Sequence, residues 1–114
     1  MSHREWEFLL DDILEAIEKI QSYAAEMSFE EFEDDSKTID AVIRNFIVIG
    51  EATSHIPSTI VEKHPNVPWR LMGDMRNFAV HEYWGVDVKV LWKTIQEDFP
   101  PLAVQIQGIK NKRE

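Results

Sequence analysis

The sequence predicts an all-α protein, an up-and-down bundle of four to five main helices with no sheet. Three observations predict it. Apolar residues recur at three- and four-residue steps through most of the chain, the spacing that gathers them on one face of a helix. No two segments alternate in a way that would pair as strands. Signals that start and stop helices divide the periodic stretches, and the connections between them are short, as in a bundle of neighbouring helices.

The first helix opens at Ser2, which stands in capping-box spacing with Glu5. Trp6, Leu9, Leu10, Ile13, Ile17, Ile20 and Ala24 form its apolar face, while Glu7, Asp11, Asp12, Glu15 and Glu18 populate the others. That acidic stripe reads as a solvated face, with a partner-binding surface as the alternative. Ser28-Phe29-Glu30-Glu31 repeats the capping-box spacing and opens a short helix through Phe32, which the run Glu33-Asp34-Asp35 ends. Asp35 or Ser36 then caps a second long helix. Its apolar positions are Ile39, Val42, Ile43, Phe46, Ile47, Ile49 and Gly50, enough of its circumference to place it at the centre of the bundle. Gly50 costs helix stability and points to close approach by a neighbouring helix.

All five prolines fall between positions 57 and 101. Pro57 starts a short helix through about His64, Pro65 stops it, and Pro68 starts the next. That helix is predicted from about Trp69 to Tyr83, with Gly73 inside it and Gly85 just past its end. Val86 to Val90 alternates like a strand, but the longer pattern Val88, Leu91, Trp92, Ile95, Phe99 is helical, with Asp87 as its N-cap. Pro100-Pro101 is predicted to break or bend the chain before a last helix from Leu102 to Ile109, followed by a basic tail of Lys110, Lys112 and Arg113.

Residues 1–114 are predicted to form one domain, long enough to bury roughly two-thirds of the surface its unfolded chain exposes. The absence of cysteine excludes disulfides and thiolate metal sites and fits a reducing compartment. No apolar run approaches the roughly 18 residues of a membrane helix, and the first residues carry charges of both signs, unlike a signal peptide. The expectation is a soluble, cytoplasmic protein without membrane contact. A net charge of −9 argues at first sight against nucleic acid. Its distribution matters more: residues 1–36 hold 12 acids and 2 bases, net −10, while residues 37–114 hold 9 acids and 10 bases, net +1. The later two-thirds of the chain has room for a local basic site.

Few patterns in the chain carry chemistry. His81-Glu82 begins an H-E-x-x-H motif, but Gly85 stands where the second ligand is required. His55 and His64 are too far apart for one helical face, so no metal and no cofactor is expected. What remains is Arg76-Asn77-x-x-x-His81-x-Tyr83. Asn77 and His81 share a helix face, and Arg76 and Tyr83 align two turns apart. Arg76 and His81 stand about 140° apart around an ideal helix. They meet only if the arginine curls round, the helix distorts, or two copies of the helix face each other. On spacing alone, capping of carbonyls and pairing with Asp74 or Glu82 is the more economical reading.

Arg-x4-His is the signature of the HEPN superfamily, and Arg76 to Tyr83 resembles the Arg-x4-His-x-Tyr form found in HepT-like toxins. Ser28 to Phe32, Ile49-Gly50-Glu51-Ala52, Val67-Pro68-Trp69-Arg70, Trp84-Gly85-Val86-Asp87 and Asp98 to Leu102 resemble the same family in the same order, so the likeness covers nearly the whole chain. The resemblance implies a homodimer or higher even oligomer, two motif helices facing across a cleft, and metal-independent cleavage of RNA. It further implies an MntA-like nucleotidyltransferase antitoxin that adenylylates Tyr83. Within it, His81 is the natural base for a 2′-hydroxyl, because its ordinary pKa of about 6.5 lies near working pH. Arg76 offers a fork for phosphate oxygens, and Asn77 holds the imidazole or the substrate. The leaving 5′-oxygen needs an acid, which a second copy of His81 would provide. Glu51 is a weaker candidate, a polar residue on a largely apolar helix, with pairing to Arg44 or Arg70 as the other reading. Two alternatives to a ribonuclease remain: a non-cleaving HEPN module that binds nucleotide or a nucleotidyltransferase, and a purely structural dimeric bundle.

Overall fold

A computed structural model describes residues 3–79 and 85–112. Helix α1 spans His3–Ala24. Trp6, Leu10, Ile13, Ile17, Ile20 and Ala24 are buried along it, and Asp11, Asp12, Glu15 and Glu18 are exposed, so the acidic stripe is a solvated face. The predicted cap Ser2 lies outside the described residues. Helix α2, Phe29–Glu33, carries the expected capping box: the Glu31 amide donates to Ser28 Oγ at 3.1 Å, and the Ser28 amide donates to Glu31 Oε1 at 2.8 Å. Of the two candidate caps for α3, Ser36–Ser54, it is Asp35 that serves, accepting from the Thr38 amide at 3.0 Å.

Helix α3 is central, as its apolar circumference requires. It packs along α1 on one side and against the Trp69–Asn77 segment on another. Its buried polar groups are satisfied within the helix: Asn45 Nδ2 donates to the Ala41 carbonyl at 2.9 Å and Thr53 Oγ1 to that of Ile49 at 2.7 Å. A short helix α4, Ser58–Lys63, follows Pro57. The turn after it is tied down by Trp69, whose indole Nε1 donates to the His64 carbonyl at 2.9 Å.

The sequence predicts one continuous helix from Trp69 to Tyr83, and here the structure differs. Helix α5 ends at Asp74, Met75–Asn77 forms a 3₁₀ turn, and Phe78 and Ala79 are helical again. Positions 80–84 lie outside the described residues. Gly85 takes φ 93°, the left-handed conformation in which glycine has no Cβ penalty.

A second difference concerns Pro100-Pro101, which do not end the helical run. Helix α6, Val88–Lys93, capped by Asp87, passes through a π turn at Thr94–Asp98 directly into helix α7, Phe99–Lys112. Both prolines sit in the first turn of α7, where a missing N–H costs least. The Phe99 amide reaches back five residues to the Thr94 carbonyl, so the helix widens instead of ending. Helix α7 returns along α1, held by an ion pair between Lys110 and Asp11. Among the described residues there is no strand, and no helix is long and apolar enough to cross a membrane.

Candidate active site

The described part of the motif is fixed by the residues that alternate with its polar ones. Trp69, Met72 and Met75 are buried, and Phe78 is half-buried. Phe78 packs edge-on against Phe46 of α3, with ring centroids 5.2 Å apart, and Phe46 in turn meets Phe99 at 5.3 Å. The aromatic stack therefore joins the motif segment to both the central and the last helix.

The tightest contact lies at Gly50. A Cβ placed there would stand 2.2 Å from the Arg76 backbone nitrogen and 2.8 Å from its Cα, closer than atoms can pack. The close approach that Gly50 predicts is thus real, and the neighbour is the motif itself. Main chain meets main chain, so the position of Arg76 is set by two backbones and its side chain is left to solvent. Arg76 and Asn77 are both exposed. Among the described residues Arg76 makes no ion pair with Asp74; the other partner that spacing offers, Glu82, lies outside them. His81 and Tyr83 lie outside the described residues.

Glu51 follows Gly50 on α3 and pairs with neither Arg44 nor Arg70. Its Oε2 lies 3.0 Å from His55 Nε2, one turn on. Glu-x3-His is the spacing that puts a carboxylate beside an imidazole on one helix face, a signal for this pair that the metal-ligand test of His55 does not use. Among the described residues no three histidine or acidic side chains gather as metal ligands would.

Comparison with known proteins converges on one group. The family described as Ribonuclease HepT-like matches residues 13–109. The chain is 46% identical over 109 residues to the "Probable ribonuclease HepT" of Thermococcus cleftensis, covering 96% of each chain. Two further relatives carry the name "Putative RNase". One from Methanocaldococcus jannaschii is 36% identical over 107 residues, covering 94% of this chain and 98% of its own. That of Caldanaerobacter subterraneus subsp. tengcongensis is 35% identical over 105 residues, covering 92% and 94%. No solved structure matches.

Proposed function

The chain belongs to the HepT-like ribonuclease family, and on that premise we propose that it is a metal-independent endoribonuclease toxin whose active site is Arg76, Asn77 and His81. The observation that carries the reading is the backbone contact between Gly50 and Arg76. It anchors the motif segment without using any of its polar side chains, which is what a site needs if those side chains are to meet a substrate. The burial of Met75 and the exposure of Arg76 and Asn77 support the same reading.

Cleavage without a metal proceeds by attack of the 2′-oxygen on the neighbouring phosphorus. His81 takes the 2′-hydroxyl proton as general base. Arg76 neutralises the charge that builds on the non-bridging oxygens. The geometry of one helix does not bring these two groups together readily. A 3₁₀ turn advances about 120° per residue where an α-helix advances about 100°. The turn at Met75–Asn77 thus rotates Arg76 further relative to Phe78 than an α-helix would. Of the ways for the two groups to meet, the one we adopt is a homodimer in which two motif segments face each other and each supplies groups to a shared cleft. Addition of AMP to Tyr83 by a nucleotidyltransferase antitoxin would place phosphate charge and bulk beside that cleft and repel RNA, by the logic of phosphorylation.

The test is purified protein with RNA in EDTA. Wild type is expected to cleave as a dimer, and His81→Ala and Arg76→Ala each to lose about 10²-fold or more. A dimeric, unmodified preparation that leaves RNA intact overturns the proposal, and in that case retained ATP or AMP binding would favour a nucleotide-binding module. With the nucleotidyltransferase and ATP, mass should rise in multiples of AMP in wild type but not in Tyr83→Phe.

A further inference from the structure

We infer that the groove between the end of α1 and the π turn at Thr94–Asp98 binds an organic cation, a guanidinium or primary ammonium group on an alkyl stem. The groove has a volume of about 240 Å³, with Gln21, Glu26 and Met27 on one side and Ile95, Gln96 and Pro100 on the other. Three observations give it this chemistry, and none involves the motif segment. The first lies in the π turn, where the Phe99 amide donates to the Thr94 carbonyl. The Gln96 carbonyl then finds no donor in its own helix. Phe99 is spent, and the residues four and five on are Pro100 and Pro101, which have no N–H. Ile95 is placed alike, with Phe99 four residues on and Pro100 five on. Backbone carbonyls are obligatory acceptors, and Ile95 is buried, so the turn presents oxygen that its own chain does not satisfy.

The second observation is the end of α1. The Ala25 amide donates to the Ser22 carbonyl and the Met27 amide to that of Ala24. The carbonyls of Gln21 and Tyr23 thus lose the amides that stand four residues on. Helix α1 runs for 22 residues with no basic residue in its last turn, so the negative end of its dipole has no countercharge of its own. The third is Glu26, at φ 63° the one non-glycine residue of positive φ among those described. The left-handed residue that closes a helix is usually glycine, and a side chain there costs stability. What glutamate adds for that cost is a carboxylate beside the groove. Charge and shape then select the ligand. One carboxylate and several carbonyl dipoles suit a single positive charge, and the N–H groups of a guanidinium or ammonium match a wall rich in acceptors. Met27 and Pro100 offer apolar surface along which an alkyl stem can lie. A free amine and a lysine or arginine side chain of another protein share this chemistry.

The full chain, labelled for NMR and held at physiological salt, is titrated with butylguanidinium and with butylurea, an uncharged probe of nearly the same shape. Butylguanidinium is expected to shift the carbonyl signals of Ile95 and Gln96 and the side-chain signals of Glu26, and butylurea to leave them in place. Glu26→Gln should weaken the binding about tenfold or more. Glu26→Gly should weaken it as much while raising the melting temperature, because glycine relieves the left-handed strain; a folded variant that has lost the ligand separates the site from the fold. Pro100→Ala, which returns an amide to the turn, should weaken binding as well. A blocked Gly-Arg-Gly peptide distinguishes the sources: binding like that of butylguanidinium assigns the groove to a side chain of a partner, and binding of butylguanidinium alone assigns it to a free amine. The site is overturned if butylurea shifts the same signals, if Glu26→Gln binds as wild type does, or if the shifts fall equally on Asp11, Asp12 and Glu15, where charge alone would draw a cation.

Discussion

Two helices of this protein depart from α geometry, and they do so in opposite directions. The segment that carries Arg76 tightens to a 3₁₀ turn at Met75–Asn77, and the last helix widens to a π turn at Thr94–Asp98. The spacing of core residues accounts for both. Helix α1 buries Trp6, Leu10, Ile13, Ala16, Ile17, Ile20 and Ala24; apart from the small Ala16 these stand four and three residues apart in alternation, which averages close to the 3.6 residues of an α turn. The site segment turns Trp69, Met72, Met75 and Phe78 towards the core, three steps of three. In an α-helix each such step falls about 60° short of a full turn, whereas a 3₁₀ turn closes in three residues. The last helix buries Leu91, Ile95 and Phe99 beside Thr94; the three apolar residues stand two steps of four apart, each overshooting an α turn by about 40°. A wider turn absorbs the excess. Where the core dictates the step, the backbone changes its winding.

The largest effect is expected at Phe46, the ring that both segments share. Phe46→Ala is expected to cost about 3–5 kcal/mol, read as a melting temperature lower by roughly 10–25 °C. Gly50→Ala touches the tightened segment alone. The added methyl collides with backbone, so a loss of about 1–3 kcal/mol and a marked fall in RNA cleavage are expected. Gly108→Ala, where a Cβ meets nothing within 4 Å, should instead stabilise by up to about 1 kcal/mol. Calorimetry on the two variants gives opposite signs if packing against Arg76 is what requires glycine.

Replacing Pro100 and Pro101 together by alanine sharpens the other half. If the four-residue steps set the π turn, stability should change by less than about 1 kcal/mol, since prolines in a first turn cost little. A larger gain, with the i→i−5 bond of Phe99 lost by NMR, would make the prolines the cause. The smallest effect is expected at Asp35, away from both segments. Hydrogen bonds from the Thr38 amide and then the Thr38 hydroxyl hold its carboxyl below the ordinary 3.8. A depressed carboxylate stabilises the fold above its unfolded pKa and loses that contribution as pH falls through the folded one. The stability difference between wild type and Asp35→Asn should therefore be constant above about pH 5 and shrink as acid is added.

The same residues say how much was legible beforehand. The caps at Ser28 and Asp35, the central place of α3 and the close approach at Gly50 follow from local chemistry, and all three could be read from the sequence. The tightened turn and the continuous last helix could not be read by counting apolar residues per window, because their signal lies in the order of steps of three and four. Pro100-Pro101 misled for a related reason: proline opposes a helix only where an N–H is needed, and a π turn moves that need. The pairing of Glu51 with His55 was legible as a spacing, but a search for metal ligands looks past it.

The contact between Gly50 and Arg76 has a consequence for how the protein can change over generations. It is made by main chain and by the Cβ that every residue but glycine carries, so nothing beyond Cβ at position 76 enters it. A lineage that loses the arginine keeps the bundle. The exposed chemistry of the segment can therefore be altered by single substitutions without the intermediate step of a misfolded chain.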